Sequence, residues 1–487
     1  LQEYLGAANV DFAPVVNGYD TDKQDINFFI GLHTGLVSPS FHHALGKGSG
    51  LSKPYKLVVI ADSHPKWDDL ARQGEPKPNH VGGAVAILLQ NTSDILYPVG
   101  IPSQPVVGTG HYLPGKPISN LEFTRTIPTV NIYRRGNLID KKPVETSPEW
   151  IMTRMGAGYR HFSADDEDCP TLGKKAWGHA EHRYGLDPSN IKILGVATET
   201  GDGDVFRPSI HGKTVIATSA RLNRALGANA EYMFDVRFAC AGNLMNTYLT
   251  STAPVTLRGN DLAVDVSVEQ LDRVEDILDK NKDRDQSIGL FGSGAGILVR
   301  GAFDSRFPDA GLTSFISSSN PFDGALWYIY KNIDPYPEFD LSLFDDPDLM
   351  PHGNPYGIMR MPEGLSVFKL ATRTMIENAH LAMRLGKWRE GDFEHGLTKE
   401  QIDLLNPHQA NSRIIEAVAK RDEFTPDQLL NYVKLTSNIS SASTAVSMSM
   451  REAEWGIPYL IRDGKGIYEL KTEFGSGVVS TAGLIRS

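Results

Sequence analysis

Three polar residues stand in apolar surroundings where they could carry out chemistry together. Cys240 lies in the stretch "FDVRFACAGNLMN", His408 follows the apolar run "IDLLNP", and Asn438 follows "VKLT" and precedes a run of small residues. A thiol nucleophile, an imidazole base and an amide donor form a sufficient set for nucleophilic catalysis. We expect each of the three to lie at the end of a strand, because α/β proteins place active sites there.

Cys240 has two interpretations. Free cysteine behaves as a small hydrophobic residue and is commonly buried, so Cys240 could simply fill space. Its neighbours Ala239, Ala241 and Gly242 are small, however, and would let a substrate approach the sulfur. A helix that starts directly after the turn would lower the pKa of the thiol and favour the thiolate.

The remaining motifs predict neither a metal nor a bound cofactor. "HAEH" (His179 to His182) would place two histidines on one face of a helix, but no third ligand is visible. "GSGAG" lacks the G-x-G-x-x-G spacing of a dinucleotide loop and precedes an apolar strand rather than a helix.

The composition is that of an acidic globular protein. The 487 residues carry a formal net charge of −11, which argues against nucleic acid as a partner. Two cysteines cannot form a disulfide framework, and their small number fits a reducing compartment. The sequence shows neither a long apolar run nor a signal-peptide pattern, so we expect no membrane span and a cytoplasmic protein.

Short apolar runs alternate with helical patterns over most of the chain. "NIKILGVATET" and "YMFDVRFACAG" are predicted strands, and the second runs into a sharp turn. "GKTVIATSARLNRALGA", "AGNLMNTYL" and "LSVFKLATRTMIENAHLAMRLG" are predicted helices. "YELKTEFGSGVVSTAGLIRS" reads as two strands joined by a glycine-rich turn. This alternation predicts an α/β fold.

Four segments are predicted along the chain. A stretch dense in proline and glycine, Tyr97 to Gly115, places a boundary near residue 103. Residues 320–362 lack periodicity and are predicted to form a lid or, alternatively, a subunit-contact loop. The predicted segments are residues 1–102, 103–319 with Cys240, 320–362, and 363–487 with His408 and Asn438.

The first 102 residues contain a weak echo of the later unit. "LGAANVDFAPVVNGYD" parallels "LGANAEYMFDVRFACAG", and "GGAVAILL" parallels "GSGAGILV". Tyr19 falls about where Cys240 would lie, so the early copy lacks the nucleophile. Residues 1–102 are interpreted either as a degenerate, partial copy of the later unit or as a chance similarity.

From about residue 103 to the end, the chain resembles β-ketoacyl-acyl-carrier-protein synthase III, a family of the thiolase superfamily. The matching motifs occur in order: "GTGHYLPGKPISN", "SPEWIMTRMGAGYRHF", "FDVRFACAGN", "LFGSGAGILV", "VFKLATRTM", "NPHQANSRII", "SNISSAS" and "FGSGVVSTAGLIR". The resemblance implies a thiolase-like αβαβα layered fold of two similar halves, and usually a homodimer. Residues 1–102 would then be an additional, partial thiolase-like segment.

The resemblance also implies roles for the three polar residues. Cys240 looks like the nucleophile that accepts the acyl group. His408 and Asn438 look like the pair that hydrogen-bonds the thioester carbonyl of the second substrate and stabilises its enolate. The backbone N–H groups of Cys240 and Ser476 would form the oxyanion hole.

Further positions carry over to the substrate carrier and the acyl chain. Trp150 and Arg154 match positions that contact coenzyme A in the family, and Arg413 matches a basic position that docks the acyl carrier protein. The alternative for Arg413 is an ordinary solvated position on a helix. Asn243 and Phe368 are candidates for the acyl tunnel.

The sequence departs from the family pattern at several positions near these motifs. Ser293 stands where the family has aspartate, and Ser437 and Ser476 stand where it has glycine. A backbone donor at Ser476 survives if the local conformation suits a residue other than glycine. These departures bear on the substrate more than on the chemistry.

The predicted function is an acyl-thioester condensing enzyme. Cys240 takes an acyl group from coenzyme A or an acyl carrier protein, and a Claisen condensation with a second thioester follows, either decarboxylative or of the β-keto type. Apart from the coenzyme A or phosphopantetheine of the substrates, no cofactor is expected. The extra segments indicate a specialised pathway, such as that of the dialkylresorcinol-forming relatives.

Three alternatives stay open at this point. An acyltransferase or thioester hydrolase would use the same three residues without forming a carbon–carbon bond. A non-catalytic partner of an active paralogue is disfavoured by the intact set. A papain-type protease is disfavoured by the absence of a "CGSCW"-like context.

Overall fold

The computed structural model describes nineteen stretches of the chain. They are residues 10–14, 36–37, 55–61, 84–92, 95–98, 101–126, 129–134, 137–143, 147–164, 166–201, 217–273, 278–279, 289–319, 327–329, 358–360, 364–386, 396–455, 466–476 and 479–487. The predicted lid or subunit-contact segment, 320–362, lies outside them except for two short strands.

The described strands are numbered in chain order. They are β1 (Val10–Pro14), β2 (Leu36–Val37), β3 (Tyr55–Ala61), β4 (Ala84–Thr92), β5 (Ile95–Pro98), β6 (Val106–Tyr112), β7 (Ile118–Ser119), β8 (Thr129–Arg134), β9 (Asn137–Pro143), β10 (Tyr159–Arg160), β11 (Ile191–Ala197), β12 (Tyr232–Val236), β13 (Leu262–Gln270), β14 (Leu278–Asp279), β15 (Ser293–Gly301), β16 (Gly311–Ser319), β17 (Trp327–Ile329), β18 (Ile358–Arg360), β19 (Leu404–Pro407), β20 (Tyr468–Gly475) and β21 (Val479–Arg486).

The described α-helices are numbered in the same way. They are α1 (Asn120–Thr126), α2 (Pro148–Met155), α3 (Cys169–Tyr184), α4 (Thr218–Leu226), α5 (Gly242–Ser251), α6 (Gly364–Leu385), α7 (Ser412–Arg421), α8 (Val433–Thr436) and α9 (Ala442–Trp455). Among the residues that the structure describes, no helix combines the length and apolar character needed to cross a membrane.

The first large sheet has the strand order β2-β12-β11-β13-β15-β6. Strands β12, β11 and β13 are parallel, whereas β15 runs antiparallel to both β13 and β6. Strands β13 and β15 are buried along their whole length. In β13 the apolar residues alternate with the buried polar residues Asp265, Ser267 and Glu269, so one of its faces is buried against polar partners.

The second large sheet has the order β16-β21-β20-β19, with β19 and β20 parallel and the other pairs antiparallel. A parallel bridge from Leu405 to Leu429 adds a rudimentary fifth position beside β19. The strands of each half can be numbered along the chain, leaving out β2 and counting the Leu429 bridge as a strand. Both sheets then have the spatial order third, second, fourth, fifth, first. The predicted two similar halves are therefore present.

Helices separate and cover the two sheets. Helix α3 packs on the outer face of the first sheet, and α6 packs on the outer face of the second. Helices α5 and α9 lie between the sheets, since α5 contacts strands of both and α9 contacts β15, β6 and β19. The result is the predicted αβαβα layering, with the middle helices shielded from water on nearly every side.

Residues 1–98 contribute a separate four-stranded sheet of order β1-β3-β4-β5. Strand β2 instead pairs with the edge of β12, through Leu36 with Asp235 and Val37 with Val236. The interpretation of residues 1–102 as a degenerate copy stays a prediction, as do the four segment boundaries.

Most of the predicted elements match the described ones. The turn and helix after β12, the strand pair β20 and β21, and the long helix α6 are confirmed. Helix α4 begins at Thr218, later than the predicted start, and residues 202–216 lie outside the described stretches.

Candidate active site

Cys240 lies in a single turn of 3₁₀ helix, Ala239–Ala241, between β12 and α5. Ala239 adopts a left-handed backbone with φ of 46°, which directs the chain sharply into the helix. Gly475, the last residue of β20, packs directly against this turn. A Cβ on Gly475 would lie 2.8 Å from the Cys240 nitrogen, so only glycine fits there.

The surroundings of Cys240 favour the thiol over the thiolate. Burial, and to a smaller extent the carboxylates of Glu269, Glu199 and Glu473, together raise the pKa of Cys240 to about 12. A hydrogen bond with the Ser440 hydroxyl acts in the opposite direction. The expectation that the following helix would lower this pKa is therefore wrong, because desolvation and carboxylate repulsion outweigh the helix dipole.

His408 directly follows β19, as predicted, and is 2 % exposed. Its backbone N–H donates to the Thr472 carbonyl at 2.8 Å, which ties it to β20. Burial lowers the pKa of the imidazole to about 3, so the ring is neutral at physiological pH. Within the described residues, Nδ1 of the ring has no hydrogen-bond partner.

The sequence predicted that Asn438 lies at the end of a strand. In the structure it follows the one-turn helix α8 instead. Its backbone N–H donates to the Leu290 carbonyl at 2.9 Å, and its carbonyl accepts from Gly292 at 3.0 Å. The side-chain oxygen accepts the Ser440 N–H at 2.8 Å. This bond orients the amide, so its nitrogen is the end that can donate to a substrate.

The three predicted catalytic residues converge on the carboxyl end of β20. His408 is bonded to Thr472 on this strand, and the Cys240 turn rests on Gly475. Asn438 joins them through Ser440, whose N–H it binds and whose hydroxyl contacts Cys240. The predicted nucleophile from the first half thus lies near the predicted base and amide donor from the second.

Ser476 follows Gly475 and is half-buried. Because Gly475 abuts the Cys240 amide, the backbone of this turn lies next to the nucleophile. The N–H groups of Cys240 and Ser476 stay the predicted oxyanion-hole donors.

Three acidic side chains beside Cys240 were missed by the sequence analysis. The Glu199 carboxylate accepts the Ala239 N–H at 2.5 Å. Glu269 accepts the Glu199 N–H at 3.0 Å and the Ser441 hydroxyl at 2.6 Å, and burial raises its pKa to about 7.

The third, Glu473, lies on β20 and is fully buried. Its strand carried a usable signal, because Glu469, Lys471 and Glu473 alternate in "YELKTEF" and must share one face of a strand. Charged residues in such a pattern, inside a strand otherwise expected to be buried, indicate a polar network.

Asn243 belongs to this polar network. Its side chain is fully buried, and Nδ2 donates to the Ser267 hydroxyl at 2.9 Å. Its Oδ1 lies 3.0 Å from both the Thr444 hydroxyl and the Lys471 ammonium. Polar partners from both halves of the chain therefore surround its amide, and its place in an acyl tunnel stays a prediction.

The predicted carrier-binding residues lie on two helices that touch. Gly156, which ends α2, sits so close to Ser412 at the start of α7 that a Cβ there would lie 2.1 Å from its hydroxyl oxygen. This contact brings α2, with half-buried Trp150 and exposed Arg154, next to exposed Arg413. The contact of these residues with a carrier stays a prediction.

Phe368 on α6 lies beside Arg413, whose guanidinium stands 5.7 Å from its ring centroid. Phe368 is partly buried against the core of the second half. Its place in an acyl tunnel stays a prediction.

Two of the serines that depart from the family pattern have defined partners. Ser293 donates to the Asp272 carboxylate, which also accepts the Ser163 hydroxyl at 3.2 Å. A carboxylate therefore lies next to position 293 although the residue itself is serine. The Ser437 hydroxyl donates to the Tyr159 carbonyl at 2.7 Å.

His179 of "HAEH" contacts another histidine, His111. His179 accepts the His111 N–H at 3.1 Å through Nδ1, and the two rings meet edge to face. Across the described ranges, no group of three His, Cys, Asp or Glu residues could hold a metal ion.

Known proteins are similar in sequence to this chain over most of its length. A sequence model described as the C-terminal part of 3-oxoacyl-[acyl-carrier-protein] synthase III matches residues 393–486. The β-ketoacyl-[acyl-carrier-protein] synthase III of Brucella anthropi is 31% identical over 390 residues, covering 78% of this chain and 98% of the relative. That of Paracoccus denitrificans is 30% identical over 351 residues, covering 72% and 90%. The chain belongs to the β-ketoacyl-acyl-carrier-protein synthase III family.

Solved structures agree with a synthase III fold. The priming β-ketosynthase from the R1128 polyketide pathway superposes with a TM-score of 0.59 at 24% identity, covering 80% of this chain and 98% of that protein. The predicted thiolase-like architecture is confirmed. The Brucella relative covers 78% of this chain, so about a fifth of this chain has no counterpart in that alignment.

Proposed function

We propose that this synthase III family member joins two acyl thioesters by a Claisen condensation, with Cys240 carrying the first acyl group. The observation that carries the proposal is the convergence of Cys240, His408 and Asn438 on the carboxyl end of β20. The two halves of the fold each supply part of this set, so the site exists only in the assembled chain.

In the first step, the sulfur of Cys240 attacks the carbonyl of the donor thioester. The thiol is protonated, so its proton must leave as the sulfur–carbon bond forms, and the neutral imidazole of His408 is a suitable acceptor. The N–H groups of Cys240 and Ser476 stabilise the oxyanion. The carrier thiolate departs and takes up the proton.

In the second step, His408 and the Asn438 amide donate to the carbonyl oxygen of the second thioester. Their hydrogen bonds stabilise the enolate that forms when the α-carbon loses carbon dioxide or a proton. The enolate attacks the acyl carbonyl on Cys240, a carbon–carbon bond forms, and the cysteine thiolate leaves. It then takes up a proton from solvent when carbon dioxide was lost, or the proton that the α-carbon released in the other case.

The surface around α2 and α7 fits a thioester carrier. Arg154 and Arg413 supply positive charge for the phosphates of coenzyme A or an acidic acyl carrier protein, and Trp150 supplies an aromatic face. The exposed side chains of Met152 and Leu435 lie near these residues. Met152 on α2 and Lys434, which precedes Leu435, both lie against Gly158. We assign no further cofactor to the reaction.

A homodimer in a reducing, cytoplasmic environment completes the proposal. Both cysteines are free thiols, which is compatible with such a compartment. Light scattering coupled to gel filtration measures the oligomeric state, and a monomer at working concentration contradicts the dimer.

Mass spectrometry of the protein after incubation with acyl-coenzyme A or acyl carrier protein tests the first step. The acyl adduct should map to Cys240, disappear in Cys240→Ser and persist in Cys169→Ser, which alters the only other cysteine. An adduct elsewhere, or none with either donor, contradicts the proposal.

Product analysis after adding a malonyl or β-ketoacyl thioester separates the rival reaction. A longer β-keto product supports condensation. Release of the free acid or an ester instead supports the acyltransferase or hydrolase alternative.

A further inference from the structure

Helix α5, which begins directly after Cys240, receives its cap from the other half of the chain. Its own N-cap residue, Ala241, offers no side-chain hydrogen bond. Instead, the Leu244 N–H donates to Oε2 of Glu473 at 3.0 Å. The first N–H groups of a helix lack partners within the helix, so this carboxylate satisfies one of them.

The Glu473 carboxylate is held from several directions. The Thr444 hydroxyl on α9 donates to Oε1 at 2.5 Å, and the Thr481 hydroxyl on β21 donates to Oε2 at 3.2 Å. Lys471 on the same strand favours its ionised form, while burial raises the pKa of Glu473. The side chain is therefore fixed in position next to the start of α5.

A helix start favours the thiolate of an adjacent cysteine, and a carboxylate at the same place opposes it. Glu473 is one of three acidic side chains that act on Cys240, with Glu269 and Glu199. The Ser440 hydroxyl, which bonds the thiol, acts in the opposite direction, and the ring of His408 is neutral.

We propose that Glu473 is a positioning residue for Cys240, which fixes the first turn of α5 from the opposite half and, when ionised, holds the nucleophile as a thiol between turnovers. This inference rests on the proposed role of Cys240 as the acyl acceptor. A thiol resists alkylation and oxidation better than a thiolate does. The arrangement therefore protects the nucleophile when no substrate is bound.

The same strand provides a matched control. Glu469 lies four residues from Glu473, and its side chain is 1 % exposed. Its carboxylate also feels Lys471 and accepts the Asn406 amide at 2.6 Å. It is not among the three carboxylates that raise the pKa of Cys240. Replacing it removes an equally buried acid without reaching the thiol.

The rate of alkylation of Cys240 by iodoacetamide, followed by mass spectrometry between about pH 6 and pH 10, tests the proposal. Glu473→Gln keeps an oxygen that can accept the Leu244 N–H but removes the charge. We expect the pKa of Cys240 to fall; a fall of about one unit would make alkylation about 3-fold faster wherever the wild-type thiol is protonated and Glu473 is ionised, because the thiolate fraction rises ~10-fold while the thiolate becomes less nucleophilic. At low pH the wild-type Glu473 is itself neutral, so the two profiles should converge there.

Glu469→Gln should reproduce the wild-type profile. Coinciding profiles for Glu473→Gln and wild type, or an equal shift in Glu469→Gln, would overturn the proposal. If Glu473→Gln fails a thermal-unfolding check, Glu473→Met fills a similar volume without charge and should give the same acceleration. Alkylation needs no acyl substrate, so its outcome is separate from any failure of Cys240 to accept an acyl group.

Discussion

Ser437 is the residue whose backbone conformation conflicts most clearly with its side chain. Its φ of 57° and ψ of −165° fall in a region that is essentially restricted to glycine. The hydrogen bond from its hydroxyl to the Tyr159 carbonyl accompanies this conformation. The departure from the family glycine at this position is therefore accommodated at a cost in backbone strain, directly before Asn438.

A pair of substitutions measures that strain. We expect Ser437→Gly to be more stable than Ser437→Ala by about 1 to 3 kcal/mol, because only glycine adopts the backbone freely. Both variants lose the same hydroxyl, so the hydrogen bond cancels in the comparison. Denaturant unfolding gives the two free energies, and a more stable alanine variant would contradict the assignment.

His408 should couple stability to pH. Its pKa is about 3 in the folded protein and near 6.5 when unfolded, so the unfolded state binds the proton first as pH falls. The stability that depends on the neutral ring is complete above pH 6.5 and is lost as pH drops toward 3, at up to about 1.4 kcal/mol per pH unit.

Urea unfolding of the wild type and His408→Asn at pH 7 and pH 5 checks this expectation. The variant should lose less stability than the wild type over this interval. Equal losses would mean that His408 does not titrate as its burial requires.

At the residue scale, the sequence pointed to three residues that the fold brings together, Cys240, His408 and Asn438, but not to the acids around them. Cys240 lies beside small residues in a distinctive local motif. Glu199, Glu269 and Glu473 come from three different strand ends, and only the sheet order brings them together. The pKa of Cys240 could not be predicted, because it depends first on burial and then on those distant carboxylates, and a local motif shows neither.

Among the elements, β20 does the most to assemble the site. It binds His408 through Thr472, supports the Cys240 turn through Gly475 and carries Glu473 inward. Local patterning predicted this strand and its hairpin correctly. It could not predict that Asn438 follows a helical turn. Asn438 forms a parallel bridge with Phe291, and such a bridge depends on tertiary contacts.

Gly475→Ala should disturb this assembly. The added Cβ would meet the Ala239 side chain and the Cys240 nitrogen, both at 2.8 Å, and neither can move without shifting the turn. We expect acylation of Cys240 to slow at least ~10-fold, since small misplacements of reacting groups are costly.

Gly178→Ala on α3 is the matched control, because its Cβ would meet nothing within 4 Å. This change should leave acylation intact and stabilise the protein by roughly 0.5 to 1 kcal/mol. Single-turnover acylation kinetics and thermal unfolding provide both readouts. Unchanged acylation in Gly475→Ala would show that β20 does not set the position of the nucleophile.

At the scale of the whole molecule, the interface between the two halves, here called the seam, is polar as well as apolar. The Lys471 ammonium from the second half reaches the Asn243 amide on α5 in the first, and both residues are fully buried. Burying such groups is favourable only when their hydrogen bonds are satisfied. The layered fold was predictable from ordered motifs, whereas this network was not, because its members are separated by more than 200 residues.

Asn243→Leu tests whether the seam depends on this amide. It removes a hydrogen-bond partner from the Lys471 ammonium, so we expect the free energy of unfolding to fall by about 2 to 3 kcal/mol. A tunnel-lining residue would behave differently, changing the preferred acyl-chain length at nearly constant stability. Unfolding measurements and a comparison of acyl-chain lengths distinguish the two.

The repeated strand order has a consequence for how this molecule can change over time. The two halves share one topology, yet the first carries the proposed nucleophile and the second carries the proposed base and amide donor. Neither copy can stand in for the other, so internal repetition here confers no redundancy. A lesion in either half is a lesion in the whole enzyme, and the two halves must vary together.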